Sequence, residues 1–351
     1  MSLDILLRHL SMVGALALLS ALVVRMMIRF PVMDPVDHRK AHAVPTPRGG
    51  GVGIVVAFMV GMCGLYLSAQ FARLADTQFL GVILAAFAIA VVSFIDDLKD
   101  LRFAVKLAAQ TAAALVAIAS GLVVDRLAIP WVGVFSLGPL GIVMTVFWIV
   151  GCTNAVNFMD GLDGLVGGTV LIVCAILAAV AADQGGWFIY AAALLLAAGI
   201  AGFLPFNLHP ARIFMGDVGS QFLGFVLAVF AVASARFDAA QMSFLIVPML
   251  MFGLLADAAF TLLRRAAMGE RISAPHRSHL YQMAQRAGVP VRAVAAVHWG
   301  FALFHGALVV VFLALPGTLK PLIVVPALAV QMVWAGYVML RMRRAGISFR
   351  A

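Results

Sequence analysis

An all-α, polytopic integral membrane protein is what this sequence predicts, from three observations. Of 351 residues, 64% are apolar, against roughly 45–50% in an ordinary soluble domain. Only 11% are charged, against about 25%. The apolar residues also gather in long runs, and one bilayer crossing takes about 20 of them. Eleven crossings would use about 220 residues and leave about 131 for the termini and connections. No separate soluble domain fits in that remainder, so residues 1–351 read as one transmembrane domain.

Runs bounded by Pro, Gly or charge fall at about 8–30, 51–71, 78–95, 105–124, 139–157, 166–183, 187–204, 219–236, 241–263, 296–315 and 321–341. The first has Asp4, Arg8 and His9 ahead of it and no small-residue cleavage site, so it reads as a retained span. Odd-numbered connections and the C-terminal tail carry nineteen Lys and Arg, while the other side holds only Arg8, Arg73, Arg126, Arg236 and Lys320. By the positive-inside bias, the N-terminus lies outside and the C-terminus in the cytoplasm. The net charge of +9 is therefore loop asymmetry, suited to anionic membrane lipids and phosphates, and no nucleic acid partner is expected. Cys63, Cys152 and Cys174 sit in apolar runs without CxxC spacing, so neither a disulfide framework nor a zinc site is suggested.

Polar residues concentrate in connections near 31–50, 96–106, 154–165, 205–220 and 264–295, all on the side assigned to the cytoplasm. Five unrelated loops rich in Asp, Asn, His and Arg on one face read as one assembled site. At the end of the third span, Asp96 and Asp97 are adjacent carboxylates at a membrane boundary, with Lys106 beyond. Such a pair needs a cation, a basic neighbour or a raised pKa, any of which suits a general base or a metal neighbour. A solvated helix end is the plainer alternative.

Asn154, Asn157, Asp160 and Asp163 recur every third residue. On an unbroken helix that step drifts 60° each time, so the four converge only if the helix breaks, and Gly161 and Gly164 allow it. Asp217 lies between Gly216 and Val218-Gly219 at the start of the eighth span, placed either to bind a hard cation or simply to cap a helix. In the first loop, Arg39, Lys40, His42 and Arg48 offer donors to phosphate, and Gly49–Gly51 would let backbone N–H groups approach it. The longest loop carries His276, Arg277 and His279, donors that could contact phosphate or a metal, a weak zinc signal without a third ligand, with a solvated basic loop as the equal alternative. His298 and His305 read as core histidines, and Asp257, two turns before Arg264, implies a buried partner.

Taken together, RKxHxxPTPRGGG at Arg39–Gly51, FIDDxKxxxxxxK at Phe94–Lys106, NxxNFMDGxDGL at Asn154–Leu165 and FMGDxGSxFLG at Phe214–Gly224 resemble one family. It is that of the polyprenyl-phosphate N-acetylhexosamine-1-phosphate transferases, and the likeness is collinear over about residues 34–290. The resemblance implies transfer of a sugar 1-phosphate from a UDP-HexNAc to undecaprenyl phosphate, with release of UMP, at the cytoplasmic face of a bacterial inner membrane. It implies Asp96, Asp97 and Lys106 as catalytic, with Asp97 as base, and Asp217 and Asn157 as ligands of Mg²⁺, which Mn²⁺ could replace. Arg48, Asn154, Asp160, Asp163, His276, Arg277 and His279 would bind substrate. Ser278, where many members carry a histidine, makes the chain similar to the branch that initiates O-antigen. Family precedent allows a homodimer. The alternative class is an ion-coupled secondary transporter, whose ionisable groups would sit near the bilayer midplane instead.

Overall fold

The computed structural model describes residues 3–34, 46–68, 76–129, 132–236, 242–271 and 276–348. In chain order these form α1 (Leu3–Arg29), β1 (Val32–Asp34), β2 (Thr46–Arg48), α2 (Gly51–Ser68), α3 (Asp76–Lys99) and α4 (Phe103–Ala119). There follow β3 (Arg126–Ile129), β4 (Gly133–Ser136), α5 (Pro139–Met159), α6 (Leu165–Gln184), α7 (Trp187–Asn207) and α8 (Asp217–Arg236). The last elements are α9 (Ile246–Leu250), α10 (Phe252–Ala267), α11 (Leu280–Arg286), α12 (Val291–Ala314) and α13 (Val324–Arg344). The expected all-α polytopic architecture is what is found.

Nine helices among the described residues are long and apolar enough to cross a membrane. The two further spans expected from the sequence are shorter. The fourth is the 17-residue α4, and the ninth is divided at Met251 into α9 and α10. Pro248, which lacks an N–H and crowds the preceding turn, stands inside the short α9.

The centre of the bundle is α8, buried along almost its whole length, with α2, α3 and α5 against it. A second group forms around α7, which packs on α1, α2 and α6, and α12 closes over α6. In lipid there is little hydrophobic drive between helices, so close approach has to come from small side chains. Gly51 is one such point: a Cβ there would lie 2.2 Å from the Cα of Gly219. Polar side chains within spans are satisfied locally or across helices, as when Thr153 donates to the Ile149 carbonyl and Ser20 to that of Gly199. Leu67, Phe147, Met332 and Val333 are largely exposed, as a lipid-facing surface requires.

Two antiparallel hairpins complete the fold, β1 with β2 and β3 with β4. The turn of the first, with Arg39, Lys40, His42 and Pro45, lies outside the described residues. Its returning strand is bonded to the segment before α8: Phe214 N–H donates to Pro47, while Gly50 and Gly51 N–H donate to Phe214 and Met215 at 2.9 and 2.8 Å. The expectation that these glycine amides reach for phosphate is therefore corrected for Gly50 and Gly51. Their N–H groups already hold the first loop onto the fourth polar segment.

Candidate active site

The C-terminal ends of α3 and α5 and the N-terminal ends of α2, α4 and α8 meet at one end of the bundle, where the sequence motifs converge. The start of α8 is organised from α3. Asp97, only 3% exposed, accepts the backbone N–H groups of Asp217 and Val218 at 3.0 and 3.1 Å. A helix N-terminus carries unpaired N–H groups and a positive dipole end, and a carboxylate satisfies both. Gly216 makes this approach feasible. Its φ is +76°, and a Cβ there would lie 2.6 Å from the Asp97 carboxylate. The charge of Arg48 also acts on Asp97.

Two expectations are refined as a result. Asp97, expected as base, also caps α8, each of its oxygens accepting one N–H and keeping a lone pair. Asp217 is not the cap of its own helix, because Asp97 fills that role and frees the Asp217 carboxylate to face elsewhere. Asp217 accepts from the Asn157 amide at 3.1 Å and from the Gln221 amide at 3.0 Å, with the Lys106 ammonium 3.6 Å away. The same ammonium lies 2.9 Å from Asp96, which also accepts the Leu101 N–H. Lys106 thus bridges Asp96 and Asp217, and the solvated-helix-end reading of the acid pair fails for buried Asp96 and Asp97.

Asn157 donates to Ser220 at 2.9 Å as well as to Asp217. Asn154 donates to Gln110 at 2.6 Å and to the Val150 carbonyl. Gln110 in turn donates to Gln221 at 2.9 Å. Gln110, Ser220 and Gln221 were not singled out from the sequence. Their signal was there: each is a buried polar residue in an apolar helix, and both glutamines follow a charged site residue by four positions, one helical turn.

The expected helix break is present, with α5 ending at Met159 and α6 beginning after Gly164. Asp160 caps α5 and is half-buried beside the other acids. Burial, then the charges of Asp217, Asp97 and Asp163, pushes its carboxyl up to about 8. Asp163 departs from the cluster. It accepts from His209 at 2.6 Å and from the Ala211 N–H, tying the segment after α7 to the α5–α6 turn. Its bonds are those of an anchor.

The fifth polar segment is held by Asp257, whose oxygens accept the Leu280 and Tyr281 N–H groups, each at 2.9 Å. That is the buried partner the sequence called for. Tyr281 then donates to the Phe158 carbonyl, next to Asn157, and so joins this segment to the site. His279 lies between Phe158 and Tyr281, with His276 at a ring separation of 4.9 Å. Ser278 holds the His276 ring by a 3.1 Å contact. The Arg277 carbonyl accepts from Arg286.

Burial, then the neighbouring His279, Arg265 and Arg264, pushes His276 down to about 4, so near pH 7 it offers a hydrogen bond rather than a charge. The unfolded ring protonates near 6.5, the folded one near 4; stability is complete above about 6.5 and is lost as pH falls toward 4. Thermal unfolding across that range is expected to show an acid limb that His276→Gln flattens. An unchanged limb in the variant would contradict this.

Among the described residues no three His, Cys, Asp or Glu side chains group as a metal site. The donor set at Asp217 and Asn157 is instead hard oxygen, and few protein ligands are what Mg²⁺ accepts when waters and phosphates fill the rest. Because the Asn157 amide nitrogen donates to Asp217 and Ser220, its oxygen is turned outward from both. These residues fit a magnesium ion.

Fold and site together define a multi-pass membrane protein with a charged, oxygen-rich cluster at one end of its helix bundle. The model of glycosyl transferase family 4 matches residues 79–235. A probable undecaprenyl-phosphate N-acetylglucosaminyl 1-phosphate transferase of Bacillus subtilis is 32% identical over 279 residues, 78% of this chain and 75% of the relative. A decaprenyl-phosphate N-acetylglucosaminephosphotransferase of Mycobacterium tuberculosis is 32% identical over 287 residues, 74% of this chain and 70% of the relative. A phospho-N-acetylmuramoyl-pentapeptide-transferase of Leuconostoc mesenteroides is 35% identical over 204 residues, 55% and 63% of the two chains. The chain belongs to the polyprenyl-phosphate N-acetylhexosamine-1-phosphate transferases of glycosyl transferase family 4, and is a polyprenyl-phosphate sugar-phosphate transferase.

Proposed function

We propose that the protein transfers a HexNAc-1-phosphate from a UDP-sugar to undecaprenyl phosphate at the cytoplasmic face of a bacterial inner membrane. The product would initiate a cell-surface polysaccharide such as O-antigen. The observation that carries this reading is the freed Asp217 carboxylate, held by Asn157, Gln221 and Lys106 while Asp97 caps its helix. The names of the relatives support the lipid phosphate and the amino sugar, and the excess of cationic loops on the site's side supports the cytoplasmic face.

In the reaction, an oxygen of the lipid phosphate attacks the β-phosphorus of the donor. The bond from that phosphorus to the oxygen bridging the two phosphates breaks, and UMP leaves with the electron pair. Asp217 and Asn157 would hold Mg²⁺, which supplies Lewis-acid and template effects on the diphosphate when bound. Lys106 counters developing charge, and it holds Asp96 in place on the acceptor side. Arg48, Arg277, His276 and His279 orient phosphates, and positioning with charge stabilisation is most of what phosphoryl transfer needs. Asp160, lacking a hydrogen-bond donor among the described residues, faces the nucleotide, and Asn154 and Asp163 keep the α5–α6 turn in place.

The test is turnover by purified protein with undecaprenyl phosphate and a panel of UDP-HexNAc and UDP-6-deoxy-HexNAc donors. UMP and a lipid-linked diphosphate sugar are expected with at least one. Flux of an unchanged solute into liposomes, with no turnover, would favour a transporter.

Because Asp160 sits near 8, its carboxyl is protonated at neutral pH, and a cation arriving beside it favours the charged form. Mg²⁺ binding near pH 7 is expected to release up to about one proton. Calorimetry in two buffers of different ionisation enthalpy measures this, and equal release from Asp160→Asn would contradict the assignment.

A further inference from the structure

We propose that Gln110 and Gln221 are positioning residues that form, with Asn154, a directed amide relay fixing the orientation of the Asp217 carboxylate. The inference rests on the reading of Asp217 as a cation ligand.

The direction of every bond in the relay is fixed. A carboxylate can only accept, so Gln221 has to turn its NH₂ toward Asp217, at 3.0 Å. Its oxygen then faces Gln110, which has to present NH₂ in return, at 2.9 Å. The Gln110 oxygen is left for Asn154, which donates at 2.6 Å. The same direction follows from the opposite end. The Val150 backbone carbonyl also only accepts, and its 2.8 Å bond points the Asn154 NH₂ into the relay. Two acceptor-only ends therefore demand the same orientation of all three amides, and no member can flip without breaking two bonds.

The relay joins three helices, with Gln110 on α4, Asn154 on α5 and Gln221 on α8, and both glutamines are almost wholly buried, at 2% and 3% exposed. Burying two amides in a membrane bundle is costly unless every bond is made, and here the glutamines' main inter-residue bonds are. Apolar side chains of equal size would serve a purely structural role there at least as well. What the amides add is a fixed donor on one carboxylate oxygen, leaving the other to Asn157 and the cation. Hydrogen bonds that orient a metal ligand in this way typically change metal affinity or activity by about 10–100-fold.

The experiment measures Mn²⁺ binding by paramagnetic resonance on full-length protein in nanodiscs, with kcat and KM alongside. Four variants are compared: Gln221→Met, Gln110→Met, the double Gln110→Met/Gln221→Met, and Asp217→Asn. Gln221→Met is expected to weaken Mn²⁺ binding by about 10-fold or more and to lower kcat with little change in the KM for donor. Gln110→Met is expected to weaken Mn²⁺ in the wild-type background and to have no effect in the Gln221→Met background, because it acts only through Gln221. The double variant replaces both partners with apolar groups and should keep its unfolding midpoint, so the test survives if a single variant misfolds. If Asp217→Asn weakens Mn²⁺ while Gln221→Met does not, the relay is refuted and the cation site stands. Unchanged affinity in Asp217→Asn overturns both.

Discussion

Asp217→Ala is expected to lower kcat by at least about 10²–10³-fold, the scale seen when one preorganised charge-stabilising contact is removed from a reacting centre. The substitution deletes the carboxylate on which Asn157, Gln221 and Lys106 converge, yet it leaves the α8 N-terminus capped, because Asp97 bonds to backbone groups that alanine retains. Lys106 keeps its 2.9 Å contact with Asp96. The fold should therefore survive with an unfolding midpoint close to that of the wild type. UMP release in nanodiscs, read beside thermal unfolding, checks both halves. Turnover within about threefold of wild type would remove Asp217 from the reaction, since even a single hydrogen bond to a charged group is worth about 1.5–3 kcal/mol.

Lys106→Met is expected to hurt both stability and turnover. Asp96 is 4% exposed and has Lys106 as its cation, so removing the ammonium strands a buried carboxylate. Breaking such a pair from one side costs about 3–5 kcal/mol, with the lower figure apt here because Lys106 is a quarter exposed. Turnover should fall by about 10²-fold as phosphate charge loses its counter-ion. Adding Asp96→Asn should restore most of the stability, because it removes the stranded charge, and none of the turnover. Recovery of activity in the double variant would show that Lys106 serves the fold alone.

The fold class was legible because membrane spans announce themselves by composition and length, and the bundle is what the apolar runs required. Span number was less so. Whether residues 241–263 form one helix depends on how Pro248 and its neighbours settle against α12, which no local pattern reports. The convergence of the polar segments was also legible, since Asp96, Asp97, Asn157 and Asp217 cannot lie in lipid without partners. Which oxygen each carboxylate offers was not. Asp97 takes the cap that Asp217 could have supplied, because the N–H groups at the start of α8 are satisfied from α3, a tertiary fact. Gln110 and Gln221 escaped notice for a related reason: a single amide in an apolar run looks unremarkable until its neighbours across three helices are known.

The reaction is defined by which phosphorus moves. A UDP-HexNAc donor carrying isotopic phosphorus at the β position, incubated with the protein, Mg²⁺ and undecaprenyl phosphate, reports it directly. The label is predicted to appear in the lipid product, with unlabelled UMP released. Recovery of the label in UDP would mean that the sugar alone is transferred, and a reaction centre built around Asp217, Asn157 and Lys106 to cleave the diphosphate would be contradicted.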